Sequence, residues 1–208
     1  MPLLLLIRHG ENEYTKTGRF AGRTPGVHLN EKGQSQAQAL GEAFKEVPLK
    51  AIYSSPLERA METAAPIAFA RGLEIIPAPG LLESDVGKWQ GQSVRRVALS
   101  KVWKIVQNAP SRAGHPDGET FQQVQTRIAT TLNEICAKYK PRDIVACVFH
   151  ADPIKLAAAY YLGLPLDHFQ RLACDTGSVT ALHITDMGAY LLKLNQHPPL
   201  DFLPNKKK

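Results

Sequence analysis

Two histidines and two arginines in this sequence stand where apolar runs give way to polar residues. Residues 3–7 (Leu-Leu-Leu-Leu-Ile) lead directly into Arg8, His9, Gly10 and Glu11. Residues 144–149 (Ile-Val-Ala-Cys-Val-Phe) lead into His150. Between them, Ala51-Ile52-Tyr53 leads into Ser54 and Ser55, with Arg59 close behind. Arg59 falls in the first turn of an expected helix, where the macrodipole disfavours a cation by ~0.3–1 kcal/mol at exposed sites. A helix start flanked by an arginine is, however, a good site for an anion. Gly10 allows the backbone to turn sharply or to approach a ligand where a Cβ would intrude. The chemistry open to such a set is capture of an anion by guanidinium groups with imidazoles beside it.

Those side chains meet only if the three apolar runs are parallel strands of one sheet. Continuous apolar runs of this length read as strands buried on both faces, and ligands of open parallel sheets bind beyond the strands' carboxyl ends. The intervening sequence supplies the helices. Asn30 is expected to cap a helix carrying Ala37, Leu40, Phe44 and Val47 at helical spacing, and Pro48 stops it. Ser55-Pro56-Leu57-Glu58 predicts another start, with Ser55 as cap, Pro56 in the first position and Glu58 completing a capping box. Pro66 is expected to kink that helix. Residues 73–76 read as a strand, followed by a loop that holds Glu83 and Asp85. Residues 93–106 predict one helix with Val94, Val97, Val102 and Ile105 on a common face, and 107–118 a loop. Phe121, Val124, Ile128, Leu132, Ile135 and Tyr139 mark a strong amphipathic helix. Asp152 and Pro153 are expected to start the next helix as cap and first position, with Gly163 closing it. Residues 179–184 and 190–194, parted by Asp186 and Gly188, predict a terminal hairpin or two late strands.

Strands alternating with helices indicate an α/β fold: a three-layer sandwich with a mainly parallel central sheet flanked by helices. One domain over residues 1–204 is expected, with 84–118 as an excursion able to cap a site and 205–208 as a basic tail. Residues 12–29 form a glycine-rich loop that carries Arg19 and Arg23.

Composition narrows the class of function. The 208 residues are 44% hydrophobic and 21% charged, as in an ordinary soluble protein. No apolar stretch approaches the length of a membrane span, and residues 3–7 are too short for a signal segment, so a cytoplasmic protein is expected. Cys136, Cys147 and Cys174 are odd in number, with no C-x-x-C spacing, and read as small buried hydrophobes. No histidine pair has the spacing of a helical zinc site, so neither metal nor cofactor is expected. His28, His115, His168, His183 and His197 read as surface or structural. A net charge of +6 and a pI near 9.3 favour an anionic partner. No stacked-aromatic or basic repeat accompanies that charge, which argues for a small phosphorylated molecule or inorganic phosphate over nucleic acid.

Arg8-His9-Gly10-Glu11, Ser54-Ser55-Pro56-Leu57-Glu58-Arg59-Ala60, the segment from Leu82-Glu83 through Gly87-Lys88-Trp89-Gln90-Gly91, and His150 after a strand resemble the histidine phosphatase superfamily. That superfamily is also called phosphoglycerate mutase-like. The similarity covers essentially the whole chain in the family's motif order. It implies a single α/β domain, with His9 as a nucleophile that attacks phosphorus to form a phosphohistidine. An imidazole attacks only when neutral, and flanking arginines disfavour its protonation. Arg8 and Arg59 would hold the phosphoryl oxygens by fork-like hydrogen bonds. His150, protonated or at least donating, would stabilise charge on the equatorial oxygens, and donors of this kind are worth ~10²–10³ in rate.

Glu83 matches the family's general acid, with Asp85 as its rival two residues on, and Glu11 is expected to orient the loop. Thr15 and Gly22 fall among the expected outer phosphate contacts. Thr15 stands where many relatives place Asn, Ala21 where they have a hydroxyl or amide residue, and Ala151 where most have Gly. The expectation is a metal-independent phosphomonoester hydrolase. A cofactor-dependent phosphoglycerate mutase is the alternative, disfavoured by the short interval from Glu83 to His150. A non-catalytic phosphate- or nucleic-acid-binding module is the second alternative.

Overall fold

The computed structural model describes residues 2–200; the basic end at 205–208 lies outside them. Its sheet contains β1 (Leu3–Arg8), β2 (Leu49–Ser54), β3 (Ile75–Pro77), β4 (Ile144–Phe149), β5 (Val179–Thr185) and β6 (Gly188–Gln196). Their spatial order is β3-β2-β4-β1-β5-β6. β4 lies between β1 and β2, parallel to both, and β3 runs parallel to β2. β5 and β6 are antiparallel, as a terminal hairpin requires. The register sets Arg8 beside Phe149 and Ser54 beside Val148. His9, Ser55 and His150 therefore leave the sheet side by side at one rim.

The unbroken apolar character of β1 follows from its central place. Leu4, Leu5, Leu6 and Ile7 are all fully buried, each worth roughly 1.5–3 kcal/mol relative to exposure. Alternate side chains enter different cores. Leu5 and Ile7 join Leu40 and Phe44 of α2 (Glu31–Phe44) and Ala60, Ala64 and Ile67 of α3 (Glu58–Arg71). Leu4 and Leu6 join Phe121, Val124, Ile128 and Leu132 of α6 (Phe121–Cys136) and Leu156 of α7 (Ala151–Leu162). The result is the expected three-layer α/β sandwich.

Some local expectations give way to longer-range contacts. Ser55 does not cap α3: Leu57 holds the cap position with no side-chain bond, and the Ser55 hydroxyl is engaged with His150. α3 runs on through Pro66, whose ring packs against Gly41 of α2; a Cβ added at Gly41 would lie 2.9 Å from it. Residues 93–106 are not one helix. Ser93 caps α4 (Val94–Val97), and Ser100 caps a separate α5 (Lys101–Asn108). That break turns Val97 and Val106 inward and leaves Val102 and Ile105 partly exposed. α7 begins ahead of Asp152, because the His150 carbonyl already accepts from Ile154 N. Asp152 is thus a first-turn residue and not the cap. Asn30 and Gly163 cap as expected, the latter at φ 65°. The loop at 12–29 contains a single turn, α1 (Glu13–Lys16), closed by a capping box between Asn12 and Thr15. Within the excursion, Val86, Trp89, Val97 and Val106 pack into the core on the α6 side.

Candidate active site

His9 is fixed immediately after β1. Its backbone N–H donates to the Phe149 carbonyl at 3.0 Å, and the next N–H, of Gly10, donates to Thr63 Oγ1 at 3.0 Å. A Cβ on Gly10 would stand 2.6 Å from the carbonyl oxygen of Gly33, so only glycine fits the approach of α2. The His9 Nδ1 lies 2.7 Å from the Gly10 carbonyl oxygen. A carbonyl only accepts, so Nδ1 carries the proton and Nε2 presents its lone pair. Burial, then the charges of Arg59 and Arg8, hold the imidazole well below its ordinary pKa. His9 is a neutral imidazole that lines the cavity with the Nε2 lone pair unbonded among the described residues.

Arg59 stands beside it in the first turn of α3 and is 1% exposed. One guanidinium nitrogen, Nη2, donates to the Gly22 carbonyl at 2.8 Å. Its Nε and Nη1 have no partner among the described residues, nor do Arg8 Nε and Asn12 Nδ2. Arg8 is anchored through Nη1 to the Cys174 carbonyl at 2.6 Å. Buried donors almost always find acceptors. Here four of them on three side chains border one cavity of about 150 Å³, which His9 also lines. It is a site built to take a small anion.

Glu83 forms another part of the wall, on the loop after a short turn at Pro79–Leu81. Burial first, and then the nearby Asp152 charge, raise its carboxyl to about 7 against the pull of Arg59 and Arg8. A carboxylic acid titrating there can both give and take a proton at neutral pH. Its backbone is gripped from two sides. Arg23 Nε donates to the Glu83 carbonyl at 2.9 Å, while Arg127 Nη1 donates to the carbonyls of Gly80 and Leu82, each at 2.9 Å. Glu119 ties both arginines together.

His150 is fully buried and lies behind the cavity wall. Its ring meets that of His9 edge to face with centroids 5.2 Å apart, and its Nδ1 is 3.8 Å from Glu83 Oε2. Burial, followed by Arg59, His9 and Arg8, holds it well below the ordinary histidine pKa. Any donation from His150 in the free protein therefore comes from a neutral ring; the protonated form is disfavoured.

The other expected residues sort by contact. Thr15 and Gly22 line the cavity, but the Thr15 hydroxyl is occupied within its capping box, donating to the Asn12 carbonyl at 2.9 Å. Gly22 offers its φ of 51° and bonds Arg59 through its carbonyl. Glu11 pairs with Lys32 at 2.8 Å and accepts from Asn30 at 3.1 Å. Asp85 is turned into its own loop, accepting from Gly87 N at 3.0 Å, and does not line the cavity. His115 is buried against Trp89 and Phe121, also away from it.

Three features escape a reading of the sequence. Asn12 lies next to the motif but carries no signal beyond that. Asp152 resembles a simple cap. The Arg23–Glu119–Arg127 clamp joins residues far apart in the chain with no local pattern.

The sequence matches the histidine phosphatase superfamily (branch 1) over residues 4–197. The chain belongs to that family. Phosphoserine phosphatase 1 of Hydrogenobacter thermophilus is 32% identical over 197 residues, covering 94% of this chain and 92% of the relative. The phosphoserine phosphatase of Entamoeba histolytica, solved in complex with 3-phosphoglyceric acid, superposes with a TM-score of 0.85 at 26% identity, covering 95% of this chain and 98% of that one. A mycobacterial glucosyl-3-phosphoglycerate phosphatase, solved with VO3, gives a TM-score of 0.84 at 26% identity over 93% and 98% of the two chains. Like these histidine phosphatases, the chain is a phosphatase. The non-catalytic binding module gives way to an enzyme.

Proposed function

We propose that this histidine phosphatase hydrolyses small phosphorylated carboxylates through a phosphohistidine on His9. The observation that carries the reading is the Nδ1–H···O=C bond of His9, which leaves Nε2 free beside the guanidinium groups of buried Arg59 and half-buried Arg8, both with unused donors. In the first step Nε2 attacks phosphorus and the ester P–O bond breaks. Glu83, protonated, gives its proton to the departing oxygen. In the second step water attacks phosphorus, Glu83 takes the water proton, the P–N bond breaks and inorganic phosphate leaves.

Arg8, Arg59 and Asn12 would bind the non-bridging oxygens, with Arg59 and Arg8 supplying the positive charge that a metal supplies elsewhere. Preorganised donors of this kind act without reorganising at the moment of reaction. The substrate class rests on the relatives, whose names include phosphoserine and glucosyl-3-phosphoglycerate phosphatases.

The test is release of phosphate from phosphoserine, 3-phosphoglycerate and an aryl phosphate, with and without chelator, alongside trapping of a phosphoenzyme. His9→Ala should remove both turnover and the trapped phosphoenzyme while the fold persists. Full activity in that variant refutes the nucleophile. Efficient isomerisation of 3-phosphoglycerate without net phosphate release assigns the chain to the mutases instead.

A further inference from the structure

Ser55 is buried at the rim of the sheet, between β2 and α3, and makes no contact with the anion cavity. Its backbone N–H donates to the Val148 carbonyl at 2.9 Å, and its own carbonyl accepts from Ser54 Oγ at 2.9 Å. Its hydroxyl lies 2.9 Å from His150 Nε2 and takes a longer bond, 3.4 Å, from Leu57 N. These are the hydroxyl's contacts among the described residues. The Leu57 amide can only donate, so the hydroxyl oxygen serves there as acceptor. The hydroxyl proton then has one acceptor in reach, the lone pair of His150 Nε2. With Nε2–H donating to Ser55, two buried groups go unpaired, the hydroxyl proton and the Nδ1 lone pair; with the hydroxyl donating, only Nδ1–H does, and folded proteins keep such groups few.

We infer that Ser55 is a positioning residue that fixes His150 as its Nδ1–H tautomer. The consequence follows from where Nδ1 lies. It is buried, has no hydrogen-bond partner among the described residues, and faces Glu83 Oε2 at 3.8 Å, beyond hydrogen-bond length. A proton there is presented on the Glu83 side of the ring, where phosphoryl oxygens arrive in the proposed reaction. A lone pair there would repel them. The hydroxyl of Ser55 thus decides whether His150 greets the anion as donor or as repellent, without touching it. For a neutral ring the tautomer is set by the bond its other nitrogen makes.

Its importance to turnover rests on the proposed transfer at His9; the protonation pattern does not, and the two are tested separately. In protein labelled with ¹⁵N histidine, long-range proton–nitrogen spectra distinguish protonated from unprotonated ring nitrogens. His150 is expected to show a protonated Nδ1 and a bare Nε2. In Ser55→Ala that pattern should shift toward protonated Nε2, and kcat for an aryl phosphate should fall by roughly 10²-fold, the scale of one lost electrostatic donor. Ser55→Thr, which keeps the hydroxyl, should restore both.

A wild-type His150 protonated at Nε2 overturns the proposal whatever the activities are. So does Ser55→Ala with an unchanged spectrum and rate. The Nδ1–H of His9, held by Gly10, reports whether the variant site is intact; where it is lost, the wild-type spectrum alone decides. A protein that shows the expected tautomer but traps no phosphoenzyme leaves the Ser55 assignment standing and refutes the phosphohistidine instead.

Discussion

Arg127 grips both carboxylate oxygens of Glu119, Nε to Oε1 at 3.0 Å and Nη2 to Oε2 at 2.9 Å. The same guanidinium reaches the carbonyls that lead into Glu83, and Glu119 Oε2 also accepts from Asp85 N at 3.0 Å. The loop that carries Glu83 is therefore held by a guanidinium whose several bonds a lysine cannot reproduce. Arg127→Lys should lower kcat by roughly 10²-fold, the cost expected when a catalytic group is misplaced by about 1 Å. KM for the phosphate should change little, because Arg8 and Arg59 are untouched. Steady-state kinetics check the split: a rise in KM at unchanged kcat would place the clamp in binding.

In the proposed mechanism the Glu83 carboxyl, pushed up to about 7 by burial and Asp152, sets the alkaline limit of turnover. For poor leaving groups kcat should fall as pH rises through about 7, since the acid must be protonated when the P–O bond breaks. Glu83→Gln should abolish that limb and lower kcat by 10²–10⁴-fold, the range typical of proton transfer. An aryl phosphate, whose leaving oxygen needs less help, should be affected less. A pH profile for an alkyl phosphate that stays flat through pH 8 would deny Glu83 the role.

The same shift has a sign in stability. The folded protein holds the Glu83 proton above its ordinary value of 4.5 and the unfolded chain does not, so this group's contribution is full below about 4.5 and is lost as pH rises toward 7. Above pH 7 the cost approaches about 3 kcal/mol, at 1.36 kcal/mol per pH unit. Glu83→Gln should accordingly be less active and more resistant to urea at pH 8, by roughly 1–3 kcal/mol after relaxation of the loop. Equal midpoints for variant and parent at pH 8 would show that the folded site does not resist the charge.

Gly10→Ala should destabilise the protein by roughly 1–3 kcal/mol, the usual cost of forcing atoms into a filled space. The new Cβ would meet backbone of Gly33, which cannot rotate away as a side chain would. Activity should fall further than stability, because the Gly10 carbonyl also orients His9. Thermal unfolding and aryl phosphate turnover measured together would show whether the two losses part.

The strand ends were legible because burial on both faces leaves an unmistakable apolar run, as in β1 and β4. The polar residues that end those runs had to share a rim. Ser55 was misassigned for a physical reason: Ser-Pro-Leu-Glu has the local form of a helix cap, but its hydroxyl is claimed by a histidine 95 residues away. Asp152 was misassigned because the turn closing on the His150 carbonyl is a backbone event with no side-chain signature. The clamp on Glu83 depends on Arg23 of the 12–29 loop, Glu119 just ahead of α6 and Arg127 within it, which only the folded chain brings together.

The place of β4 has a consequence for synthesis. It is inserted between β1 and β2, so His9 and Arg59 are made early but are not joined through the sheet until residues 144–149 arrive. A ribosome-bound chain halted near residue 140 carries His9, both guanidiniums and Glu83, yet β1 has no strand beside it and β2 has only β3. Contacts spanning so much sequence form late. Phosphatase competence should appear abruptly, once the final third of the polypeptide has left the exit tunnel.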